Sequence, residues 1–155
     1  MINRRFKTIF MKFIFIIFLI LFYNNTVSQV TQEWVSRYNG TADVSDFPKK
    51  VIADRFGNVY VGGYTTQGNS SQDYTILKYN SNGIQQWISF YNGNVSGPDY
   101  GNSITIDNTG NVYVTGKSLF SGYDIVTVKY NTDGIQQWAV IYNGPLNGGE
   151  EAKSV

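Results

Sequence analysis

The stretch "YNSNGIQQW" (79–87) recurs as "YNTDGIQQW" (130–138), and seven of the nine letters are identical. Asn-Gly and Asp-Gly pairs are typical of tight hairpin turns, because Gly adopts positive φ without a Cβ clash and Asn or Asp tolerates it. Each copy therefore predicts the end of one strand, a turn and the start of the next strand. A stretch written twice in this form indicates one structural unit that is used twice.

The duplication covers nearly all of the chain after residue 28. Twelve of the 21 positions in residues 73–93 are identical in residues 124–144. The other matching pairs are "DRFGNVYVGG" (54–63) with "DNTGNVYVTG" (107–116), Trp34 and "YNG" (38–40) with Trp87 and "YNG" (91–93), and 97–104 with 148–155. The sequence is thus a unit of about 50 residues, repeated a little over two times.

Alternating residue types predict four strands in each unit. Val112 and Val114 share one face of a strand, and Val126 and Val128 share one face of the next strand. A period of two residues is typical of a half-buried strand. Helical periodicity is absent after residue 28, so the sequence predicts an all-β protein.

Four short antiparallel strands per unit are typical of a β-propeller blade. The repeat region, 29–155, then divides into a lone outer strand (33–40), blade one (46–93), blade two (99–144) and the start of blade three (148–155). Propellers contain about four to eight blades, so we expect an incomplete propeller. It would be the N-terminal piece of a longer protein that supplies the neighbouring blades. Assembly of several short chains into one ring is the alternative.

Residues 1–28 have the pattern of a signal peptide. Four basic residues, Arg4, Arg5, Lys7 and Lys12, precede or flank the start of the apolar run "FIFIIFLILF" (13–22), and cleavage after Ser28 would follow a small residue. Met11 is an alternative start to Met1. Ten apolar residues fall short of the roughly 20 that span a bilayer. We therefore expect a secreted or cell-surface protein that is not inserted in the membrane after cleavage.

Composition excludes several classes of function. After residue 28 the chain has eight Lys and Arg against eleven Asp and Glu, a net charge of −3, and no basic cluster. Nucleic acids and anionic membranes are therefore poor partners. The chain has no Cys and no His, which removes disulfides, thiol nucleophiles, the commonest general base and most zinc sites.

Acidic residues at repeated positions are the first candidates for chemistry. Asp46, Asp99 and Glu150 each begin a unit. Around a propeller axis they would form a ring of carboxylates that could attract Ca²⁺. The preferred interpretation is that each orders the loop before its first strand. Asp54 and Asp107 are interpreted as turn residues, so we predict no catalytic residue, metal or cofactor.

Aromatic residues are the second candidates. One tryptophan recurs on the fourth strand of each unit, namely Trp34, Trp87 and Trp138. They could stack on a glycan, but a large residue repeated once per blade is better explained by packing between blades, where burial contributes about 1.5–3 kcal/mol each. Three loop aromatics that do not recur cleanly are better candidates for ligand contact: Tyr64, Phe120 and Tyr123.

The stretch "DYGNSITIDNTGNVYVTGKS" (99–118) resembles the bacterial β-propeller repeat family SBBP, whose hallmark is a D-x-x-G-N-V-Y-V-T-G core. The stretch "DFPKKVIADRFGNVYVGGYT" (46–65) is similar to it, with Gly62 in place of the Thr. The resemblance implies an exported bacterial repeat protein, in some cases with a C-terminal sorting domain for type IX secretion. It supplies no catalytic residues.

Two functions remain open. The first is a non-catalytic binding or structural module whose loops contact a protein or glycan at the cell surface. The alternative is the scaffold part of an extracellular hydrolase whose catalytic residues lie elsewhere in the protein. We expect the first, because one fold hosts many functions and no catalytic motif occurs in this sequence.

Overall fold

The computed structural model describes residues 30–155 except 42, 68–70, 94–96 and 147. The described strands all lie in one compact unit, residues 33–155. The predicted signal peptide, 1–28, lies outside the described residues. Within the described part, no helix is long and apolar enough to cross a membrane.

In the described part of the chain, eight strands form two four-stranded antiparallel sheets, each ordered as in the sequence. Blade one contains β1 (Asp46–Ala53), β2 (Val59–Gln67), β3 (Ser71–Tyr79) and β4 (Gln85–Tyr91). Blade two contains β5 (Asp99–Ile106), β6 (Val112–Leu119), β7 (Tyr123–Tyr130) and β8 (Gln136–Tyr142). The predictions of an all-β protein and of four-stranded antiparallel repeats are confirmed.

The hairpin turns β1–β2, β3–β4, β5–β6 and β7–β8 differ in one detail from the expectation, which allowed positive φ at Asn and Asp as well as at Gly. Only their glycines have positive φ, from 76° to 84° (Gly57, Gly83, Gly110 and Gly134). In the turn after β3, the Gly83 amide donates to the Asn80 carbonyl at 2.9 Å. The side chain of Asn80 accepts hydrogen bonds from the amides of Asn82 and Ile84. Each turn is therefore a type I turn followed by a left-handed glycine.

The apolar core lies between the two blades, where β5 packs across β1, β2 and β3. Tyr74 and Ile76 of blade one and Ile104 and Val126 of blade two are fully buried. The Tyr74 hydroxyl donates to the Val126 carbonyl at 3.2 Å. Gly62 lies beneath Ile104, so a Cβ added at Gly62 would approach the Ile104 side chain to 2.9 Å. Small residues in blade one thus make room for the aliphatic face of blade two.

Residues 33–40, predicted as a lone outer strand, have no regular secondary structure. A strand requires a neighbour for its hydrogen-bond ladder, and both described sheets are complete without these residues. Trp34 nevertheless lies on the turn glycine Gly83, where an added Cβ would be 2.6 Å from its ring. Trp87 lies on Gly134 in the same way, at 2.7 Å. Trp34 therefore has the same relation to blade one that Trp87 has to blade two.

Residues 150–155 run along blade two, also without strand structure. The Glu150 amide donates to the Tyr123 carbonyl at 2.7 Å, and the Ala152 amide donates to the Gly116 carbonyl at 3.4 Å. Ala152 corresponds to Gly101, which packs on Gly63, the equivalent of Gly116. This segment thus follows the path that the first strand of blade two takes over blade one.

Each blade has one face that the other blade does not cover. On blade two, Trp138, Val140 and Tyr142 are 40%, 59% and 57% exposed. The position in blade one that corresponds to Tyr142 is Tyr91, which is 8% exposed. The uncovered face of blade one has a cavity of about 350 Å³ whose lining includes Val61. The apolar face of blade two is therefore open, whereas residues 33–40 partly cover that of blade one, where Leu77 and Tyr79 are buried and Val51 is exposed.

Candidate functional site

The acid that begins each unit contacts the glycine that ends the preceding "YNG". The Gly40 amide donates to Asp46 Oδ2 at 3.1 Å, and the Gly93 amide donates to Asp99 Oδ2 at 2.8 Å. A Cβ added at Gly93 would lie 3.2 Å from Asp99 Oδ1. These contacts agree with the loop-ordering interpretation of the two acids. They also explain the recurring glycine, because a side chain would push the carboxylate away.

Among the described residues, no three His, Cys, Asp or Glu side chains form a group that could hold a metal ion. The carboxyl of Asp99 is 99% buried. Burial raises the pKa of Asp99, although the nearby Ser118 hydroxyl and the Gly93 amide act in the opposite direction. Asp99 is thus buried where the end of blade one meets the start of blade two.

Asp54 and Asp107 are turn residues, as predicted. Asp54 accepts hydrogen bonds from the amides of Phe56 and Asn58, the Asn58 side chain and the Tyr60 hydroxyl, at 2.7 to 3.3 Å. Burial alone would raise the pKa of Asp54, but these hydrogen bonds together lower it. Asn58 and Tyr60 belong to the "GNVY" motif, and their bonds to the acid explain why this motif follows the turn.

The tryptophans pack as predicted where a neighbouring unit is present. The Trp87 indole nitrogen donates to the Thr132 carbonyl of blade two at 3.0 Å, and its ring packs edge-on against Tyr60 at 6.2 Å. Trp138 contacts Tyr113 of its own blade at 6.0 Å. Because Trp138 belongs to the uncovered face of blade two, its exposure follows from its position in the repeat.

Four aromatic rings at the ends of the strands form a continuous strip across both blades. The aromatic strip consists of Phe47, Tyr64, Tyr100 and Tyr123. Successive ring centroids are 5.0, 4.8 and 6.0 Å apart. Phe47 is 40% exposed, and the three tyrosines are half-buried. Partly exposed aromatic rings of this kind, with an apolar body and a polar tip, are typical of binding surfaces.

Two lysines lie over the aromatic strip. The Lys49 ammonium is 5.1 Å from the centre of Tyr64. The Lys117 ammonium is 5.3 Å from the centre of Tyr100 and 4.8 Å from that of Tyr123. Lys117 also pairs with Glu151 at 3.5 Å. The strip therefore offers ring faces beside positive charge, a combination that suits ligands with apolar faces and anionic groups.

The structure brings together two of the three predicted loop aromatics. Tyr64 and Tyr123 both belong to the aromatic strip, whereas Phe120 packs against the apolar core. Phe120 is therefore a packing residue. The sequence interpretation missed Phe47 and Tyr100, although both follow the first acid of their unit. An aromatic residue at that repeated position was the signal that could have found them.

A comparison with known families gives two matches to the SBBP model, described as a beta-propeller repeat, at residues 33–69 and 86–124. Each match begins before the first strand of a blade and continues past its second strand, so it includes the glycine–acid contact and the "GNVY" turn. No curated protein sequence matches the chain.

Proposed function

We propose that this chain, which belongs to the SBBP beta-propeller repeat family, is a non-catalytic binding module of a secreted or cell-surface protein. The ligand would be a protein or glycan at the cell surface. The aromatic strip is the observation that carries this proposal, because it presents ring faces and two ammonium groups from two successive blades.

Further blades would cover the open face of blade two and the exposed part of the outer face of blade one. Trp138, Val140 and Tyr142 occupy the positions by which blade one packs on blade two. A following blade would cover them as blade two covers Tyr91, which is buried, and Trp87, which is partly buried. In this proposal the neighbouring blades come from the same longer protein, and the aromatic strip continues onto them.

Export is the second part of the proposal. It is supported by the charged and apolar pattern of residues 1–28. Expression of the full chain in a Gram-negative host, followed by N-terminal sequencing of the processed product, tests it. We expect a mature protein that begins at Gln29. An unprocessed protein retained in the cytoplasm would contradict export.

The binding role is tested with the full chain on an array of bacterial surface glycans and against extracts of surface protein. We expect a ligand whose affinity falls at least about tenfold in Phe47→Ala and in Tyr123→Ala, since each loses a ring of the strip. Phe56→Ala is the matched control, because Phe56 is 69% exposed on a turn and outside the strip.

Two results would contradict this role. The first is a ligand bound equally well by the wild type and both strip variants. The second is a folded wild-type protein that binds none of the tested glycans or proteins, which would favour a structural spacer or the scaffold of an extracellular hydrolase.

A further inference from the structure

Residues 33–40 lie on the outer face of blade one, the face that points away from blade two. Their sequence, "EWVSRYNG", matches "QWISFYNG" (86–93), which contains most of β4, at an offset of 53 residues. Two contacts that 86–93 make with blade two recur between 33–40 and blade one. They are the contacts of Trp34 with Gly83 and of Gly40 with Asp46. Residues 33–40 therefore occupy, on blade one, the position that β4 occupies on blade two.

The strand that pairs with β4 has no counterpart beside this segment. Residues 87–91 of β4 pair with residues 74–78 of β3. Among the described residues, no backbone hydrogen bond joins 34–38 to another part of the chain. The segment thus presents unpaired backbone N–H and C=O groups at the place where the third strand of a complete blade would lie.

An apolar cavity of about 350 Å³ lies between this segment and blade one, and its lining includes Trp34 and Val61. Val61 is half-buried, whereas the equivalent residue of blade two, Val114, is fully buried. Val51 is 64% exposed, whereas its equivalent, Ile104, is 0% exposed. Blade two has blade one on this face, so the difference marks the volume that a blade packed on blade one would fill.

The contact between blades one and two identifies the side chains that would enter the cavity. Tyr74 and Ile76 of β3 are fully buried. Their cross-strand partners on β4 are the residues equivalent to Tyr38 and Ser36, and both of these line the cavity. Directly opposite residues of an antiparallel pair share one face of the sheet. A strand paired with 34–38 would therefore direct its residues opposite Ser36 and Tyr38 into the cavity.

We infer that residues 33–40 are the fourth strand of a blade whose first three strands come from a further repeat of the same protein. The third of these strands would pair with 34–38, and an aromatic and an aliphatic side chain from it would fill the cavity. Main-chain hydrogen bonds and side-chain pockets are the two components of binding by strand addition. The inference rests on the further blades proposed above, but it is independent of the aromatic strip.

Strand addition is tested with the full chain and a synthetic peptide that copies β3, "SQDYTILKYN" (71–80). The peptide is titrated into the isotope-labelled chain, and binding is followed by nuclear magnetic resonance. We expect a dissociation constant of about 1 mM or below, since the peptide supplies backbone partners and two apolar side chains. The amides of 34–38 should exchange with solvent at least about tenfold more slowly in the complex.

Substitutions in the peptide and in the chain locate the site. A peptide with Tyr74→Ser and Ile76→Ser should bind at least about tenfold more weakly, whereas Leu77→Ser, on the opposite face of the strand, should have a smaller effect. In the chain, Val61→Phe places a ring in the cavity and should also weaken binding at least about tenfold. Val140→Phe is the matched control, because Val140 is 59% exposed on the open face of blade two. If Val61→Phe does not fold, the substituted peptides decide the matter.

The inference is overturned if the peptide does not bind at about 1 mM, or if the doubly substituted peptide binds as tightly as the parent peptide. Slower exchange on β8 instead of 34–38 would also overturn it, because the peptide would then have added to another edge. Self-association of the chain that the peptide abolishes would show that a second copy takes this place, contrary to the inference. None of these results bears on the aromatic strip, so the binding role is tested separately.

Discussion

At the scale of single residues, the recurring motif is a hydrogen-bond network around one acid. Asp107 repeats the bonds of Asp54: it accepts from the amides of Thr109 and Asn111 at 2.9 Å, from the Asn111 side chain at 2.8 Å and from the Tyr113 hydroxyl at 3.1 Å. Hydrogen bonds from Asn111 and Thr109 hold the pKa of Asp107 well below its usual range. In each blade, the motif is therefore a turn that the ionised carboxylate of its first residue stabilises by accepting hydrogen bonds.

Replacement of this acid should destabilise the fold. Asp54→Ala leaves the Asn58 and Tyr60 side chains without their acceptor, so we expect the free energy of unfolding at pH 7 to fall by about 1–2 kcal/mol. Since the pKa of Asp54 is lowered in the folded state, its contribution is present above pH 4 and is lost as the pH falls below that value. Urea denaturation at pH 7 and pH 3 measures the difference. Asp133→Ala, in an exposed turn, is the control and should change little.

The buried acid Asp73 predicts the opposite dependence on pH. Its folded-state pKa of about 6 exceeds the ordinary value of 3.8, so the folded state binds more protons between these pH values. The stability of the wild type should fall as the pH rises from about 4 to about 6. Asp73→Asn should remove part of this fall, and at pH 7.5 it should be more stable than the wild type by about 1 kcal/mol.

Urea denaturation from pH 4 to pH 8 checks the Asp73 prediction. Asp133→Asn, which removes the same charge from the surface, should follow the wild-type curve. Parallel curves for the wild type and Asp73→Asn would show that Asp73 titrates normally.

At the scale of strands, the first hairpin of each blade depends on one glycine. A Cβ at Gly116 would overlap the carbonyl oxygen of Tyr100, where β5 bulges between Gly101 and Ser103. Gly63 has the same relation to Phe47. The bulge is possible because the facing strand has no side chain at that point.

Gly116→Ala should therefore destabilise the protein by more than about 2 kcal/mol, since backbone and not a flexible side chain must move. Gly149→Ala is the matched control, because an added Cβ there has no neighbour within 4 Å. Thermal unfolding followed by far-ultraviolet circular dichroism compares the two. Equal melting temperatures for both variants would refute the close approach of β5 and β6.

Local patterns predicted the strands and turns because each is encoded within a few residues. Asp107 and Gly110 mark one turn, and alternation marks the strands on either side of it. The contacts between blades were harder to predict, because they join residues about 50 positions apart. Neither the hydrogen bond from Tyr74 to Val126 nor the contact of Tyr64 with Tyr100 has a local signal. Only the equivalent positions of these residues in the repeat could have indicated such contacts.

At the scale of the whole repeat region, equivalent residues differ in burial because one blade has a neighbour on that face and the other does not. Trp87 and Trp138 are equivalent in sequence, but only Trp87 lies between two blades. Replacement of Trp87 by Ala should lower the free energy of unfolding by about 3–5 kcal/mol. Truncation of Trp138, which is 40% exposed, should cost less than half as much. Chemical denaturation of Trp87→Ala and Trp138→Ala measures both.

The open face of blade two also predicts self-association of the isolated chain. Val140, 59% exposed, occupies the position of Ser89 in blade one. A lysine there would place a charge in the centre of the apolar face, so Val140→Lys should lower the light scattering of a concentrated solution. Asn131→Lys adds the same charge at a hairpin turn and should have a smaller effect. Equal scattering by the two variants would indicate that the face is already covered.

The contact between the last glycine of one blade and the first acid of the next has a consequence for the order in which the protein is built. The Gly93 amide finds its acceptor only when Asp99 has been synthesised. The last hydrogen bond of each four-stranded sheet is thus made by residues that leave the ribosome, or a translocation channel, after the sheet itself. The four-stranded sheets are then completed in order from the N-terminus. In a stalled chain, the sheet made last still lacks this hydrogen bond.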